Sequence, residues 1–113
     1  MSKKIFKIVN QELWNQAKDA GVFKGAEIDL TDGYIHFSAE HQVKETAAKH
    51  FQGQSDLLLV TVEAERLGEN LKWEASRGGD LFPHLYGDLE LSLVDTVEEL
   101  PLGSNGAHEF PSF

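Results

Sequence analysis

The sequence predicts a single α+β domain, and three observations lead to that class. An early segment carries apolar residues at helical spacing, a central segment is continuously apolar, and the later segments are short and interrupted by turn formers. Helices that come early and strands that come late are typical of α+β architecture. With 113 residues, the chain can form one hydrophobic core. We therefore expect one α+β domain over residues 1–113, with small mixed or antiparallel sheets and two main helices.

The first third of the chain predicts a strand, a helix and a loop. Residues 5–9, IFKIV, are short and β-branched and predict a first strand. Asn10 can cap a helix over residues 11–20, and Gly21 can end it. The apolar stripe of this helix consists of Leu13, Trp14, Ala17 and Ala20. Residues 22–33 lose this period and gather glycine and aspartate, which predicts a loop with a turn at Asp32-Gly33.

The middle third predicts a short strand, a second helix and a central strand. Residues 34–37, YIHF, are β-prone and end at Ser38, which can act as the N-cap of the second helix. Gly53 is placed to end that helix. The stripe of the second helix consists of Val43, Ala47, Ala48 and Phe51. Residues 56–62, DLLLVTV, are too apolar for an exposed edge, so we expect a strand in the centre of a sheet.

The last third predicts shorter elements. Residues 71–73 and 91–97 have the composition of strands, and residues 78–87 are rich in turn formers. Residues 98–113 combine glutamates with glycine and proline, which predicts an irregular acidic tail.

Composition excludes several classes of protein. Hydrophobic residues make up 41% of the chain and charged residues 26%, as in ordinary globular domains. No stretch approaches the ~18 apolar residues of a membrane span, and the amino terminus lacks signal-peptide features, so we expect a cytoplasmic protein without a membrane partner. The absence of cysteine excludes disulfides and thiolate chemistry. The net charge of -9 argues against general nucleic-acid binding, which requires clustered lysine and arginine.

Polar side chains of four chemical types lie close together in residues 71–91. They are Glu74, Arg77, His84 and Tyr86. Glycines and Pro83 interrupt the segment and restrict its turns, which is typical of a built site. Residues 33–38, GYIHFS, add His36 and Ser38 at the end of a predicted strand. Each residue also has an ordinary structural explanation: a satisfied core histidine, a surface ion pair between Glu74 and Arg77, or a helix cap at Ser38.

Three kinds of chemistry are compatible with these groups. Two histidines and a carboxylate can bind zinc or iron, but no pair of histidines has metal-ligand spacing on one helix face, so no metal is expected. Ser38 could act as a nucleophile beside a histidine base, but the Gly-x-Ser-x-Gly motif is absent. The third possibility is a pocket in which the imidazoles and Arg77 hold a phosphorylated ligand. Glu74 would there polarise a hydroxyl or stabilise developing positive charge.

The order of motifs resembles a family of small uncharacterised bacterial domains. The motifs are DGYIHFS, ETAAKHFQG, DLLLVTVEAERL, KWE and FPHLYG. They cover Ile5 to about Val97, which is nearly the whole chain. That family brings no established activity, so this resemblance leaves the function open.

A more distant resemblance concerns residues 35–60. The string from Ile35 through Thr46-Ala47 and Gly53 to LLLV is similar to part of the tRNA 2'-phosphotransferases, from their His-Val-His-Leu-Ser motif into the next strand. Those enzymes belong to the ADP-ribosyltransferase superfamily, which uses NAD in a cleft between small sheets. The resemblance therefore implies an ADP-ribosyltransferase-like fold for this domain. The resemblance implies that His36 is the second element of a three-part motif and that a residue from Glu74 to His84 is the third. The superfamily usually has a histidine where this chain has Lys7.

The resemblance and the residues together imply a cleft that binds NAD or another ADP-ribose-type or phosphorylated small molecule. Glu74, with His84 as proton carrier, would stabilise an oxocarbenium-like transition state or activate the acceptor. The catalytic candidates are His36, Glu74 and His84, and the ligand-binding candidates are Lys7, Ser38, Arg77 and Tyr86. Lys7 and Arg77 would neutralise the pyrophosphate. The acidic surface does not suit an RNA substrate.

Two alternatives share the same residues. One is a non-catalytic module whose pocket binds a metabolite or an acidic group of a partner. The other is a structural or interaction protein in which both histidine motifs only organise turns and core. The separation of His36, Glu74 and His84 in space distinguishes a shared site from the second alternative. The sequence does not predict an oligomeric state.

Overall fold

The two most apolar strands form the centre of the main sheet. In the computed structural model, which describes residues 3–75 and 79–111, β1 (Lys4–Asn10) pairs antiparallel with β5 (Leu57–Glu63) over its whole length. Residues 57–62 of β5 are all buried, so both faces of the strand contact a core. The short strand β4 (Ser38–Ala39) lies at one edge and β9 (Val94–Leu100) at the other. The predicted central strand at residues 56–62 is confirmed.

Each face of the main sheet packs against a separate cluster of apolar side chains. On the face of Ile5 and Val9, the cluster includes residues of α1 (Gln11–Ala20) and of the smaller strands. On the face of Phe6 and Ile8, it includes residues of α3 (Val43–His50), with Phe110 packed against them. Lys7 alternates with these residues on β1 and therefore lies on the Ile5 face.

The first helix is confirmed with its predicted bounds. The side chain of Asn10 accepts a hydrogen bond from the Leu13 N–H at 2.7 Å, which satisfies one of the free donors of the first turn. Gly21 ends the helix in the left-handed conformation with φ 80°, and its N–H donates to the Ala17 carbonyl.

A second sheet of three short strands lies beside the main one. Its order is β3 (Ile35–His36), β7 (Leu81–Leu85) and β6 (Leu71–Ala75), and both pairs are antiparallel. The prediction of turns throughout residues 78–87 is wrong, because β7 is the middle strand and contains Pro83. Proline lacks an N–H but retains a carbonyl, which here accepts a hydrogen bond from the Phe37 N–H at 2.9 Å. A third pair joins β2 (Val22–Phe23) to β8 (Leu89–Glu90).

The predicted loop at residues 22–33 is also wrong, because it contains β2 and the short helix α2 (Glu27–Asp32). The buried residue of α2 is Asp29, whereas Ile28 and Leu30 are exposed. Hydrophobic periodicity cannot identify a helix that buries a carboxylate and exposes its apolar residues. The predicted turn at Asp32-Gly33 is the end of this helix, where Gly33 has φ 88°.

Three further boundaries differ from the prediction. Ser38 is not a helix cap: it lies in β4 opposite Phe6, and α3 begins at Val43. Residues 91–93 form a short 3-10 turn, so the last strand begins at Val94. That strand extends to Leu100, three residues into the predicted tail, because Leu100 is buried opposite Leu57. The molecule is one α+β domain with small antiparallel sheets.

Candidate functional site

His36 and His84 lie opposite each other on neighbouring strands. They are paired residues of the antiparallel strands β3 and β7, and their ring centroids are 5.3 Å apart. Antiparallel partners project to the same face of a sheet. The two histidine motifs, 48 positions apart in the sequence, therefore contribute to one place.

The three-stranded sheet has one apolar face and one polar face. Ile35, Leu85 and Trp73 contact the first core cluster. Their neighbours in sequence project to the opposite face because side chains alternate along a strand. Those neighbours are Tyr34, His36, Lys72, Glu74, His84 and Tyr86. The simple alternation of β-structure thus collects most of the chemically active side chains on one surface.

Glu74 connects His84 to Tyr86. Its Oε1 atom is 2.8 Å from Nδ1 of His84 and accepts a hydrogen bond from the Tyr86 hydroxyl at 2.7 Å. The Glu74 side chain is 39% exposed, and its Oε2 atom has no hydrogen-bond partner among the described residues. One oxygen is therefore held in position, while the other has no partner among the described residues. We call Glu74, His84, Tyr86 and Tyr34 the open cluster.

Tyr34 covers His84. The two rings stack with centroids 4.2 Å apart, and Tyr34 also contacts the rings of His36 at 4.7 Å and Tyr86 at 5.1 Å. The His84 side chain is only 4% exposed beneath this ring. Donation from Nδ1 to Glu74 leaves Nε2 as an acceptor in the neutral ring. Nε2 of His84 has no hydrogen-bond partner among the described residues.

A second carboxylate, Asp29, supports the site from beneath. Both of its oxygens contact Nζ of Lys7, at 3.0 and 2.9 Å. Oδ1 also accepts from the backbone N–H of His36 and lies 2.7 Å from its Nδ1. Oδ2 accepts from the Ala26 N–H at 2.7 Å. The Asp29 side chain is fully buried, so this buried network of Lys7, Asp29 and His36 satisfies a charge that would otherwise be costly.

The pKa shifts reflect these contacts. Burial alone would raise the pKa of Asp29, but the bond from His36, the Lys7 charge and the Ala26 N–H together lower it to about 2. Burial lowers the pKa of Lys7, and Asp29 acts against that change. Hydrogen bonds from Tyr86 and His84 lower the pKa of Glu74. The same bond to Glu74 raises the pKa of Tyr86 to about 12. Both carboxylates are ionised at neutral pH.

The structure brings most of the predicted site residues together but not all of them. His36, Glu74, His84 and Tyr86 share the polar face. Lys7 reaches it only through Asp29, since its side chain is 9% exposed and bound to both carboxylate oxygens. Ser38 is buried, with its hydroxyl 3.0 Å from that of Thr46, and it faces α3. Arg77 lies outside the described residues.

Four residues of this region escaped the sequence reasoning. Tyr34 and Lys72 could have been found by strand alternation, because they lie two positions from His36 and Glu74 respectively. Asp29 and Asp32 gave no signal, because their helix was not identified. Asp32 places Oδ2 3.0 Å from Nε2 of His36. Among the described residues, no group of three or more histidine, cysteine, aspartate or glutamate side chains is arranged to hold a metal ion.

A separate groove lies beside α3. It runs between α3 and residues 105–110 and is lined in part by Lys44, Ala48 and Phe110. It shares no residue with the open cluster.

Comparison with known proteins gives the family. The family described as a protein of unknown function, DUF952, matches residues 8–97. The chain belongs to this family. Its description assigns the DUF952 family no activity, and no curated protein matches the chain. Within the described residues, no helix is both long and apolar enough to cross a membrane.

Solved structures of one protein are similar to this chain. The crystal structure of protein CC0527 from Caulobacter crescentus has 52% sequence identity and a TM-score of 0.91, and the match covers 94% of this chain and 93% of that one. The crystal structure of a double mutant of CC0527 has 51% sequence identity and a TM-score of 0.90, and the match covers the same shares of both chains. The solution NMR structure of CC0527 has 53% sequence identity and a TM-score of 0.84, and the match covers 92% of this chain and 90% of that one. The fold is therefore similar to that of an experimentally determined relative.

Proposed function

We propose that the open cluster binds NAD or a related ADP-ribose-type ligand and that the protein is an ADP-ribosyltransferase-like enzyme. The observation that carries the proposal is the state of Glu74: its carboxylate is ionised, accepts two hydrogen bonds at Oε1 and has no partner at Oε2 among the described residues. A carboxylate positioned in this way can accept from a ribose hydroxyl and stabilise the positive charge that develops on a ribose ring when its bond to nicotinamide breaks.

The aromatic side chains suit the flat, positively charged nicotinamide ring. Tyr34 is partly exposed and Tyr86 is exposed, and their rings lie 5.1 Å apart beside the Glu74 carboxylate. Cations are attracted to the faces of aromatic rings, and a nearby carboxylate adds to that attraction. The cluster therefore offers both a stacking surface and a matching charge.

His84 supplies the proton transfer. Its Nδ1 donates to Glu74, so Nε2 can take a proton from the water or hydroxyl that attacks the ribose carbon. In the hydrolytic form of the reaction, the carbon–nitrogen bond breaks, nicotinamide leaves with the bonding electrons, and a carbon–oxygen bond to water forms. The water proton passes to Nε2.

The pyrophosphate of the ligand requires a cation other than Lys7, which the sequence suggested. Lys7 is occupied by Asp29 and supports His36 through it, so we assign it a positioning role. Lys72 is exposed on the same face as Glu74 and lies opposite His84 in the strand pairing. We therefore propose Lys72, together with Arg77, as the partner of the pyrophosphate.

A binding module without turnover is the second candidate. The observation that favours it is the cover over His84, whose ring is stacked beneath Tyr34 and nearly inaccessible. Proton transfer at Nε2 would then require Tyr34 to move. Binding of NAD and ADP-ribose without release of nicotinamide would support this candidate over the enzyme.

The test combines calorimetric binding of NAD with measurement of released nicotinamide. We expect Glu74→Gln to lower the rate of nicotinamide release by about 100-fold, because it removes the charge and keeps the shape. Glu12→Gln is the matched control, since Glu12 is an exposed glutamate on α1, which contributes no residue to the cluster. An equal effect of both variants, or no binding of NAD and ADP-ribose by the wild-type protein, would contradict the proposal.

A further inference from the structure

Both ring nitrogens of His36 contact a carboxylate. Nδ1 is 2.7 Å from Oδ1 of Asp29, and Nε2 is 3.0 Å from Oδ2 of Asp32. An ionised carboxylate only accepts hydrogen bonds, and an imidazolium ring donates from both nitrogens, so each nitrogen of His36 faces a group that suits its protonated form. The His36 ring lies on the polar face of the sheet, with ring centroids 4.7 Å from Tyr34 and 5.3 Å from His84.

The two carboxylates differ in how firmly they are held. Asp29 is fully buried and accepts from Lys7, from Ala26 and from two donors of His36. Asp32 is 40% exposed and has no partner other than His36 among the described residues. It is also the last residue of α2, directly before Gly33. A change at Asp32 therefore removes none of the contacts that Asp29 makes with Lys7, Ala26 and His36.

We infer that Asp32 occupies the position that an anionic oxygen of the ligand takes when it binds. Its carboxylate acts as an internal substitute for a phosphate oxygen, and the ligand displaces it from Nε2 of His36. Displacement is feasible because an exposed ion pair contributes little free energy in water. Asp32 would thereby favour ligands with a phosphate oxygen at this position and disfavour neutral ones, which cannot replace it.

This inference rests on the proposed function for the identity of the ligand, but its key step concerns only His36 and Asp32. The groups that face the His36 ring are Asp29, Asp32, Tyr34 and His84, with Lys7 behind Asp29. Without Asp32, an incoming phosphate meets Nε2 of His36 with no competing carboxylate and with less negative charge nearby. Affinity for the phosphate should then increase.

The test compares Asp32→Asn with Asp19→Asn, using ADP-ribose and inorganic phosphate as separate probes. Asp19 is an exposed aspartate near the end of α1, and its substitution changes the net charge by the same amount. We expect Asp32→Asn to bind ADP-ribose about 5-fold more tightly than the wild-type protein, and Asp19→Asn to bind unchanged. A third variant, Asp32→Asn with His36→Gln, should lose the gain.

Nitrogen-15 NMR of the histidine rings separates the failure of this inference from the failure of the proposed function. If ADP-ribose and NAD do not bind at all, titration with inorganic phosphate still tests Nε2 of His36. A shift of that nitrogen in Asp32→Asn at lower phosphate concentration than in Asp19→Asn supports the inference. Weaker or unchanged binding by Asp32→Asn, or an equal response of both variants, overturns it.

Discussion

The molecule contains two carboxylates that each hold a histidine, and they do so in opposite ways. Asp29 is fully buried, and both of its oxygens are occupied by Lys7 and other donors. Glu74 is 39% exposed, and both of its hydrogen bonds end on one oxygen. The histidines themselves are direct partners on strands β3 and β7.

This difference distinguishes a carboxylate that stabilises the fold from one that can bind a ligand. A buried carboxylate whose oxygens are all occupied holds its neighbours in place but has no oxygen left for a ligand. A carboxylate with one held and one open oxygen is oriented and still available, which is what a transition-state stabiliser requires. We therefore assign stability to the buried network of Lys7, Asp29 and His36, and ligand binding to the open cluster around Glu74.

The largest expected effect comes from breaking the buried network. Asp29→Asn leaves the Lys7 cation buried without a counter-charge, so we expect the free energy of unfolding to fall by about 3–5 kcal/mol. Urea denaturation followed by circular dichroism measures this change. Glu74→Gln, which acts at a more exposed carboxylate, should leave the urea midpoint nearly unchanged.

A double variant separates two contributions to the loss of stability in Asp29→Asn: the unpaired charge of Lys7 and the lost hydrogen bonds. Most of the lost stability comes from the buried charge of Lys7. Lys7→Met combined with Asp29→Asn should therefore recover part of the stability that Asp29→Asn loses. An equal loss of stability in Asp29→Asn and Glu74→Gln would remove the distinction between the two regions.

A smaller effect is expected in the dependence of stability on pH. The pKa of Asp29 is about 2 in the folded protein and 3.8 in the unfolded chain, so its stabilising contribution is complete above pH 3.8 and disappears as pH falls toward 2. The difference amounts to about 2 kcal/mol, of which about 1 kcal/mol is lost between pH 6 and pH 3.

Urea titrations at pH 6 and pH 3 measure this loss. Other carboxylates titrate in the same range in both proteins, so the meaningful quantity is the difference between the wild-type protein and Asp29→Asn. The wild-type protein should lose more stability on acidification. The same loss in both proteins would show that Asp29 is not stabilised in its ionised form.

The smallest effect is expected in the pKa of Tyr86, which depends on the hydrogen bond from its hydroxyl to Glu74. This bond raises the pKa of Tyr86 to about 12, so its phenol should remain protonated at pH 10. Ultraviolet titration of the phenolate band, with Tyr86→Phe to identify the transition, measures the value. Glu74→Gln should lower the pKa toward the ordinary value because the neutral amide no longer opposes ionisation. A pKa near 10 in the wild-type protein would mean that the bond does not form in solution.

The sequence predicted the parts of this fold that follow simple patterns. The capped helix at residues 11–20 and the apolar strand at residues 56–62 have clear periodicity and sharp boundaries, and both were confirmed. Helix α2 escaped prediction because it buries Asp29 and exposes Ile28 and Leu30. Strand β7 escaped because Pro83 in a middle strand is unusual.

In the candidate site, too, features with a clear local pattern were predictable and long-range contacts were not. Histidine, glutamate and tyrosine in two short motifs were enough to suggest that residues 33–38 and 71–91 meet, and the strand pairing brings His36 and His84 together. The role of Asp29 depends on a contact with Lys7 across 22 positions, and local sequence does not reveal it. Lys7 was therefore predicted to face the ligand, whereas its amino group is enclosed by Asp29.

The central claim is that ligand binding belongs to the open cluster, and NMR titration of NAD into isotope-labelled protein tests it most directly. We predict chemical-shift changes in the rings of Tyr34, His84 and Tyr86. The groove between α3 and residues 105–110 provides the comparison within the same spectrum, and the residues lining it should not respond. Changes confined to Lys44, Ala48 and Phe110 in that groove, with none in the open cluster, would contradict the account.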